Sequence, residues 1–329
     1  MKKLLALLLF LPVFLHAQDN DASGPSMIPD LARADDSAST DSTKIWAKGG
    51  AFALNFTQAS YTNWAAGGIN SISGQVLFGV FANYKKGLNT WDNSLDLGYG
   101  LLQQSTSAYV KKTDDKIDFT SKYGRYAFKK VWFYSALFGF KTQFQPGYNY
   151  LDDTAKTKIS DFMSPGYALL AIGLDYKPNK KFSLLISPLT AKFTFVNDQA
   201  LADAGAYGVK KAVYDTAGNI ITPGQNVRGE FGSYLRAQYN TDVMKNVTLA
   251  ARLELFSNYL HNPQNIDVNA DLLLGLKVNK YITASLNFSA IYDDDVMIAV
   301  DNNHDGVIDG VGPRLQFRQV MAVGFSAKF

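Results

Sequence analysis

The chain has 329 residues, of which 47% are hydrophobic and 19% are charged, and its formal net charge at pH 7 is +3. A polytopic helical membrane protein needs several apolar runs of about 20 residues, and the sequence does not contain them. Cysteine is absent, which excludes disulfides, zinc–thiolate sites and thiol catalysis, and the near-balance of charges gives no electrostatic case for nucleic-acid binding.

The N-terminus has the pattern of a secretory signal peptide over residues 1–17. Lys2 and Lys3 precede an apolar run that reaches Leu15, and Ala17 supplies a plausible cleavage point. The run is too short to span a bilayer, so we favour a cleaved signal over a retained membrane anchor. Such a signal predicts export from the cytoplasm.

Residues 18–45 are rich in Asp, Ser, Ala and Thr and lack apolar periodicity. We expect this segment to be a flexible lead-in, because it offers too little apolar surface to build a core. A segment of this length could instead enter a barrel as a plug, and the sequence alone leaves both possibilities open. The folded domain is therefore predicted to cover residues 46–329.

From residue 46 onward, apolar residues alternate with polar or small ones at a period of two, which is typical of β-strands. The apolar positions hold no Asp, Glu, Lys or Arg, whereas the intervening positions carry many charges. Pro188 interrupts the seventh run and predicts a β-bulge there. Twelve such runs follow one another, and their first apolar residues are Phe52, Val76, Trp91, Ile117, Tyr134, Ala168, Phe182, Phe231, Val247, Val268, Ile282 and Met321.

The connections between these runs alternate between short and long. A hairpin array that enters a membrane from one side has short turns on the periplasmic side and longer loops outside. The predicted short connections each contain lysine and are Lys85–Asn89, Ala127–Lys130, Pro178–Lys180, Thr241–Lys245 and Asn279–Lys280. The predicted longer ones are Tyr61–Asn70, Gln103–Thr113, Gln145–Pro165, Asn197–Arg228, Tyr259–Gln264 and Asp293–Pro313.

These features predict an all-β fold, namely a transmembrane antiparallel up-and-down β-barrel of about twelve strands. A soluble β-sandwich also shows alternation, but its strands are usually only about five or six residues long. The even strand number and the alternating connections favour the barrel. We therefore expect the protein in the outer membrane of a Gram-negative bacterium, with membrane lipid around its exterior.

Aromatic residues and the C-terminus add to this prediction. The last strand alternates and ends on Phe329, as does the terminal signal that the barrel-assembly machinery reads in outer-membrane barrels. That machinery is the protein partner we expect. An interfacial girdle beside the short turns is predicted from Tyr84, Trp91, Tyr176, Phe182, Tyr239, Tyr281 and Phe329, although aromatic residues also have a general preference for strands.

Several short motifs carry a family resemblance. They are Asn63-Trp64-Ala65-Ala66-Gly67-Gly68-Ile69-Asn70-Ser71, Trp91-Asp92-Asn93, Thr142-Gln143-Phe144, Ser187-Pro188 and Tyr292-Asp293-Asp294-Asp295. With these motifs the chain resembles a family of exported Bacteroidota proteins, the domain of unknown function 3078, from about residue 45 to the end. The resemblance implies an outer-membrane barrel and no assigned activity.

One cluster of charges is predicted to meet inside the barrel. The strands on either side of the Thr241–Lys245 turn bring Arg236 and Arg252 to similar height, and the next hairpin places Asp271 beside Arg252 or Glu254. These side chains form either a ring that selects solutes by charge or a salt-bridge network that fills the lumen. Barrels of about eight strands are filled and those of 16–18 are open, so twelve strands leave both readings possible.

A second candidate is a calcium loop in the last long connection. Asp301, Asn303 and Asp305 place oxygen ligands at every second position, and Asp309 is a partial substitute for a later ligand. The twelfth position is Gly312 rather than Glu, so the bidentate ligand is missing. Asp-Asn-Gly runs are also ordinary loop chemistry. Calcium is thus a possible cofactor, and no other is predicted.

A third candidate is Trp64, which stands before two glycines in the first long connection. An exposed tryptophan there is able to stack on a sugar or contact a partner, and the alternative is a ring folded back on the barrel rim.

The remaining residues do not form a recognisable catalytic motif. The predicted mature chain has two histidines, His261 and His304, both in predicted outer loops. His261 lies near Ser257 and Asn258, but their spacing matches no catalytic motif, and no catalytic residue is assigned. We rank three hypotheses: passive or weakly selective passage of small solutes, a closed barrel that works as a surface binding or structural module through its loops, and an outer-membrane hydrolase.

Overall fold

The computed structural model describes residues 45–62, 68–150, 155–279, 281–300 and 309–329. Within these ranges, twelve antiparallel strands close into one barrel, and each is paired with the next along the chain. The barrel strands are β1 (Trp46–Ala59), β2 (Ser71–Lys86), β3 (Asn89–Gln104), β4 (Lys111–Phe128), β5 (Trp132–Thr142), β6 (Gly166–Tyr176), β7 (Phe182–Phe195), β8 (Val227–Met244), β9 (Val247–Asn258), β10 (Asp267–Lys277), β11 (Ile282–Tyr292) and β12 (Gln316–Lys328).

The predicted all-β barrel is therefore confirmed, including the order of its connections. The lysine-containing short connections link consecutive strands at one end of the barrel, which we call the turn end. The longer connections lie at the opposite end, the loop end. The barrel closes where β1 pairs with β12, and the backbone groups of Gly50 and Phe329 exchange hydrogen bonds of 2.9 and 3.1 Å beside that seam.

The barrel has an apolar exterior and a charged interior. Phe56, Ile172 and Met321 are 60%, 52% and 74% exposed on the outer surface, whereas Asp118 and Arg252 are 2% and 6% exposed inside. This arrangement is the reverse of a water-soluble fold, in which charged side chains face outward. The structure thus confirms that the apolar parity of the sequence points outward and the charged parity inward.

The predicted bulge is present at Pro188. The register between β6 and β7 shifts between Ile172 and Leu174, so that one residue of β6 stands opposite two of β7. That residue is Gly173, and a Cβ atom placed on it would lie only 2.0 Å from the carbonyl oxygen of Ile186. The bulge accommodates the proline, which cannot donate a ladder hydrogen bond, and it requires a residue without a side chain opposite it.

Aromatic rings gather on the exterior at the turn end. Trp46 packs against Tyr84 and Trp91, with ring centroids 5.2 and 6.2 Å apart, and Trp132 packs against Tyr176 at 4.8 Å. Such rings suit a membrane–water interface, because one end of each is apolar and the other carries a polar group.

The connection between β7 and β8 folds over the loop end. Its short helix α1 (Gln199–Asp203) is capped by Asp198, whose Oδ1 accepts a hydrogen bond of 3.0 Å from the Leu201 amide. Buried Val196, Leu201, Ala202 and Val209 give this connection a small apolar core. Other elements of the described loops are a 3₁₀ turn (Ala206–Gly208) and the paired segments Gly147–Tyr150 with Lys156–Ser160, Val213–Tyr214 with Ile220–Thr222, and Ile298–Val300 with Gly310–Gly312.

In the part of the chain that the structure describes, no helix has the length and apolar character that a bilayer crossing requires.

Candidate functional site

The charged side chains of the interior meet in a layer that crosses the lumen. Register explains their placement, because Asp96, Asp118 and Lys141 are consecutive partners on β3, β4 and β5. On the other side, Arg236 pairs with Glu254 and Arg252 with Asp271. We call the following four acidic and four basic residues the ionic layer: Asp96, Lys116, Asp118, Lys141, Arg236, Arg252, Glu254 and Asp271.

Glu254 makes four polar contacts in the ionic layer. Its Oε1 accepts a hydrogen bond of 2.8 Å from the buried Tyr234 hydroxyl and lies 3.5 Å from Nη1 of Arg236. Its Oε2 lies 3.2 Å from Nζ of Lys141 and accepts a longer bond of 3.4 Å from Nδ2 of Asn269. A buried carboxylate is stable only when paired and hydrogen-bonded, and these four contacts supply that compensation.

Arg252 reaches across the lumen. Its Nη1 lies 3.8 Å from Oδ2 of Asp118. β9 is the fifth strand after β4 in the ring of twelve, so this ion pair joins nearly opposite walls. Asp271, the register partner of Arg252, accepts a hydrogen bond of 2.7 Å from Ser289. Of the two neighbours that the sequence analysis left open for Asp271, the register places Arg252 opposite it, and Arg236 stands opposite Glu254.

The sequence-predicted cluster was incomplete, because half of the ionic layer comes from the opposite wall. Asp96, Lys116, Asp118 and Lys141 are far from residues 236–271 in sequence, and only barrel closure brings them near. A usable signal was present, since each is a charged residue on the inward parity of its strand. Which inward charge faces which partner depends on the stagger of the strands, and alternation does not encode that.

Part of the interior is filled by apolar side chains. Leu137, Ala171, Leu185, Tyr234 and Phe256 come from the five consecutive strands β5 to β9 and form a buried cluster on the inward face. These positions share the parity of the charges, so alternation alone does not predict an apolar cluster there. Together with the ionic layer, they narrow the lumen at mid-height.

Among the described residues, two cavities flank the ionic layer. The outer chamber, of about 550 Å³, lies toward the loop end, with Arg236 and Glu254 in its wall and Tyr207 of the β7–β8 connection beside it. The turn-end chamber, of about 530 Å³, is lined by both polar and apolar residues, mainly from the opposite half of the barrel. Lys116 lines both, so the chambers meet at the ionic layer.

Ion pairs tie the outer loops to the barrel rim beside the outer chamber. Nζ of Lys192 lies 2.8 Å from Oδ2 of Asp267 and 3.7 Å from Oδ2 of Asp293. Arg228 donates a short hydrogen bond to Asp295. Two acids of the Tyr292–Asp295 motif therefore anchor the last long loop to β7 and β8.

A second ion pair joins two of the outer loops to each other, beyond the ends of the barrel strands. Lys158 donates a short hydrogen bond to Asp198, the residue that caps α1. This hydrogen bond and the bond from the Leu201 amide hold the pKa of Asp198 below its usual value, because both favour the ionised carboxylate. The pKa of Lys158 is raised by the same contact and by its hydrogen bond to Asp161. The hydroxyl of Tyr207 adds a hydrogen bond of 2.6 Å to the Ile159 carbonyl.

The loop candidates lie mostly outside the described residues. Trp64, Asp301, Asn303, Asp305 and His304 belong to that part, and exposed Asp309 is the one proposed calcium ligand described. Within the described ranges, no three His, Cys, Asp or Glu side chains are grouped closely enough to hold a metal ion. Calcium therefore stays a prediction. Described His261 is exposed, and its Nε2 lies 3.3 Å from Nδ2 of Asn262.

A family of proteins described as "Protein of unknown function (DUF3078)" matches the sequence over residues 56–148. The family resemblance is confirmed over this range, which includes the Trp91-Asp92-Asn93 and Thr142-Gln143-Phe144 motifs. The match covers less of the chain than the predicted resemblance, which runs from about residue 45 to the end. The Ser187-Pro188 and Tyr292–Asp295 motifs therefore lie beyond it. No curated protein sequence matches the chain significantly.

Three solved structures illustrate what the fold is similar to. The translocator domain of autotransporter NalP from Neisseria meningitidis is 11% identical, with a TM-score of 0.37, and the alignment covers 93% of this chain and 100% of that one. An outer membrane channel from Pseudomonas putida F1 is 12% identical, with a TM-score of 0.36 and coverages of 88% and 99%. Outer membrane phospholipase A from Escherichia coli is 10% identical, with a TM-score of 0.33 and coverages of 92% and 98%. At this level of similarity a shared activity does not follow.

Proposed function

We propose that this chain is a β-barrel of the Gram-negative outer membrane whose lumen is closed at mid-height, so that it works at the cell surface as a binding or structural module rather than as an open pore. The exposed apolar exterior supports a membrane location, because contact with lipid avoids the free-energy cost of exposing apolar side chains to water. The outer chamber and the loops around it are then the parts that meet extracellular molecules.

The main support for a closed lumen is the ion pair between Arg252 and Asp118. It joins nearly opposite walls, and both side chains are almost completely buried. A ring of charges that selects passing ions is solvated by the water column it surrounds. The burial of these side chains favours the salt-bridge network over the selectivity ring.

A second candidate function is restricted passage of small solutes. It is supported by the contact of both chambers with Lys116, because the two chambers then meet at the ionic layer. Solutes would then cross when the layer rearranges.

Single-channel recording in a planar bilayer tests the proposal. We expect the unaltered protein to give no stable conductance steps. Replacing both partners of the cross-lumen pair, Arg252→Ser with Asp118→Ser, keeps the net charge of the layer and should open steady steps. The matched control replaces Lys122 and Asp175 in the same way. These residues form a buried ion pair 2.8 Å apart between strands only two places apart along the wall, so this variant should give no conductance steps.

The two candidates give different records. Steady ohmic steps from the unaltered protein, as large as those of the double variant, would overturn the closed lumen. Small steps from the unaltered protein, with an ion preference that changes in Arg252→Ser, would favour restricted passage. Heat-modifiable gel mobility confirms in each case that the barrel has folded.

A further inference from the structure

The turn-end chamber carries an excess of positive charge. Nη2 of Arg318 lies 3.3 Å from Oδ1 of Asp114, which balances one pair. The excess lies toward the mouth of the chamber, where the lysines of the short turns stand. Apart from Lys116, whose charge is balanced within the ionic layer, the charged residues that line the chamber are Lys245, Lys277, Arg318 and Lys328 against Asp114 and Asp242, a net charge of +2.

Two of the lysines at the mouth are available for a partner. Lys245 and Lys277 are exposed at neighbouring turns, and no carboxylate among the described residues pairs with either. The wall behind them combines apolar side chains with neutral polar ones, among them Thr248, Ser285 and Asn287. Such a wall offers hydrogen bonds to an occupant that is itself polar and brings negative charge.

The chain supplies an occupant of that chemistry. Residues 18–44 contain six aspartates, one arginine and one lysine, a net charge of −4, and otherwise mainly small and polar residues. The acidic residues of this segment are Asp19, Asp21, Asp30, Asp35, Asp36 and Asp41.

The segment also joins the barrel at the correct end. Trp46 begins β1 opposite Tyr84, close to the first short turn, and the inward residues Ala51, Ala53 and Asn55 of the same strand line the chamber. An extended chain covers the five residues from Asp41 to Trp46 in about 18 Å, and the whole segment in up to about 90 Å. The acidic residues therefore reach the chamber without strain.

We propose that residues 18–44 dock in the turn-end chamber, with their aspartates against Lys245, Lys277 and the other cations of its lining. Covalent attachment favours this contact, because a tether holds the segment at an effective concentration on the order of millimolar. The proposal does not depend on whether the outer chamber binds a solute or on whether the ionic layer opens.

The absence of native cysteine allows a direct test in the full-length protein. A single Ser285→Cys reports on the chamber, and Thr216→Cys in an exposed outer loop is the matched control. Each is placed in the natural chain and in a chain whose six aspartates are changed to asparagine, and the rate of reaction with N-ethylmaleimide is measured. We expect Ser285→Cys to react about tenfold more slowly with the acidic segment than with the neutral one, and Thr216→Cys to react equally in both.

Two further measurements keep the test decisive. In 1 M salt, where charges are screened beyond about 3 Å, the natural chain should lose its protection without any change in the segment. A disulfide should form between Asp36→Cys and Thr248→Cys, but not between Asp36→Cys and Thr216→Cys. Equal labelling rates with both segments would overturn the proposal, as would protection that dialysis removes, since that result assigns the chamber to a dissolved anion.

Discussion

Replacing Glu254 with Gln keeps the shape of the side chain and removes the charge on which three neighbours depend. Lys141 and Arg236 are left 3.2 and 3.5 Å from a neutral amide, and Tyr234 keeps only a neutral acceptor. The variant therefore tests whether the ionic layer stabilises the fold through paired charges.

The size of the effect follows from burial. Removing one partner of a buried ion pair costs about 3–5 kcal/mol, because the other charge stays buried and uncompensated. Arg236 is almost fully buried and bears that cost in full, whereas the Lys141 side chain is 31% exposed and gains some compensation from water. We expect Glu254→Gln to lower the free energy of unfolding by about 3 kcal/mol, near the lower end of that range.

The assay is urea unfolding in lipid vesicles, followed by tryptophan fluorescence, under conditions where folding is reversible. The matched control is Asp242→Asn, an exposed carboxylate at a short turn, which should stay within about 0.5 kcal/mol of the unaltered protein. Adding Lys141→Met to the unaltered protein and to the Glu254→Gln variant completes a double-mutant cycle. A Glu254→Gln variant as stable as the control, or a cycle in which the two changes simply add, would refute the reasoning.

Three other outcomes are expected. Ile172→Arg, on the exposed exterior of β6, should lower the free energy of unfolding in vesicles by about 2–4 kcal/mol, because it places a charge in lipid; no loss would argue against a membrane-facing wall. Gly173→Ala should cost about 3 kcal/mol in the same assay, because its Cβ has no room beside the bulge, whereas Gly74→Ala, with open space around it, should change little. Asp198→Ala should remove about 1 kcal/mol of protection from amide exchange in α1 at pH 6. The pKa of Asp198 is lowered in the folded protein. The stabilisation by its carboxylate is therefore present above the unfolded pKa of about 3.9 and is lost as the pH falls through the lower folded value. An effect of Asp198→Ala that is equally large well below pH 3.9 would contradict the role of this charge and of Lys158.

The strands and their sidedness were predictable because each depends on neighbours in sequence. Phe231, Leu235 and Tyr239 mark the exterior of β8 by alternation alone, and Pro188 marks its own bulge by the missing amide hydrogen. Arg236 and Glu254 were predictable as members of one charged cluster because a single short turn separates their strands.

Other features depend on contacts that only the closed barrel creates. Asp118 meets Arg252 because the stagger of the strands around the ring brings opposite walls to one height. The short helix α1 was not predicted, because five residues give too little periodicity, and its stability depends on Asp198 and on the small apolar core beneath it. The apolar side chains inside the wall, such as Leu137, share the parity of the charges and so leave no separate trace in the sequence.

The division of charge within the ionic layer bears on how the barrel is assembled. Asp96, Lys116, Asp118 and Lys141 all lie on β3 to β5, and Arg236, Arg252, Glu254 and Asp271 all lie on β8 to β10. The formal charges of each group of four sum to zero, so the two sides of the layer are each balanced before they meet. When the sheet curls into a ring, these two neutral groups meet, and the layer is buried without a net charge of its own. Late closure of the seam is thereby compatible with a lumen that ends up densely charged.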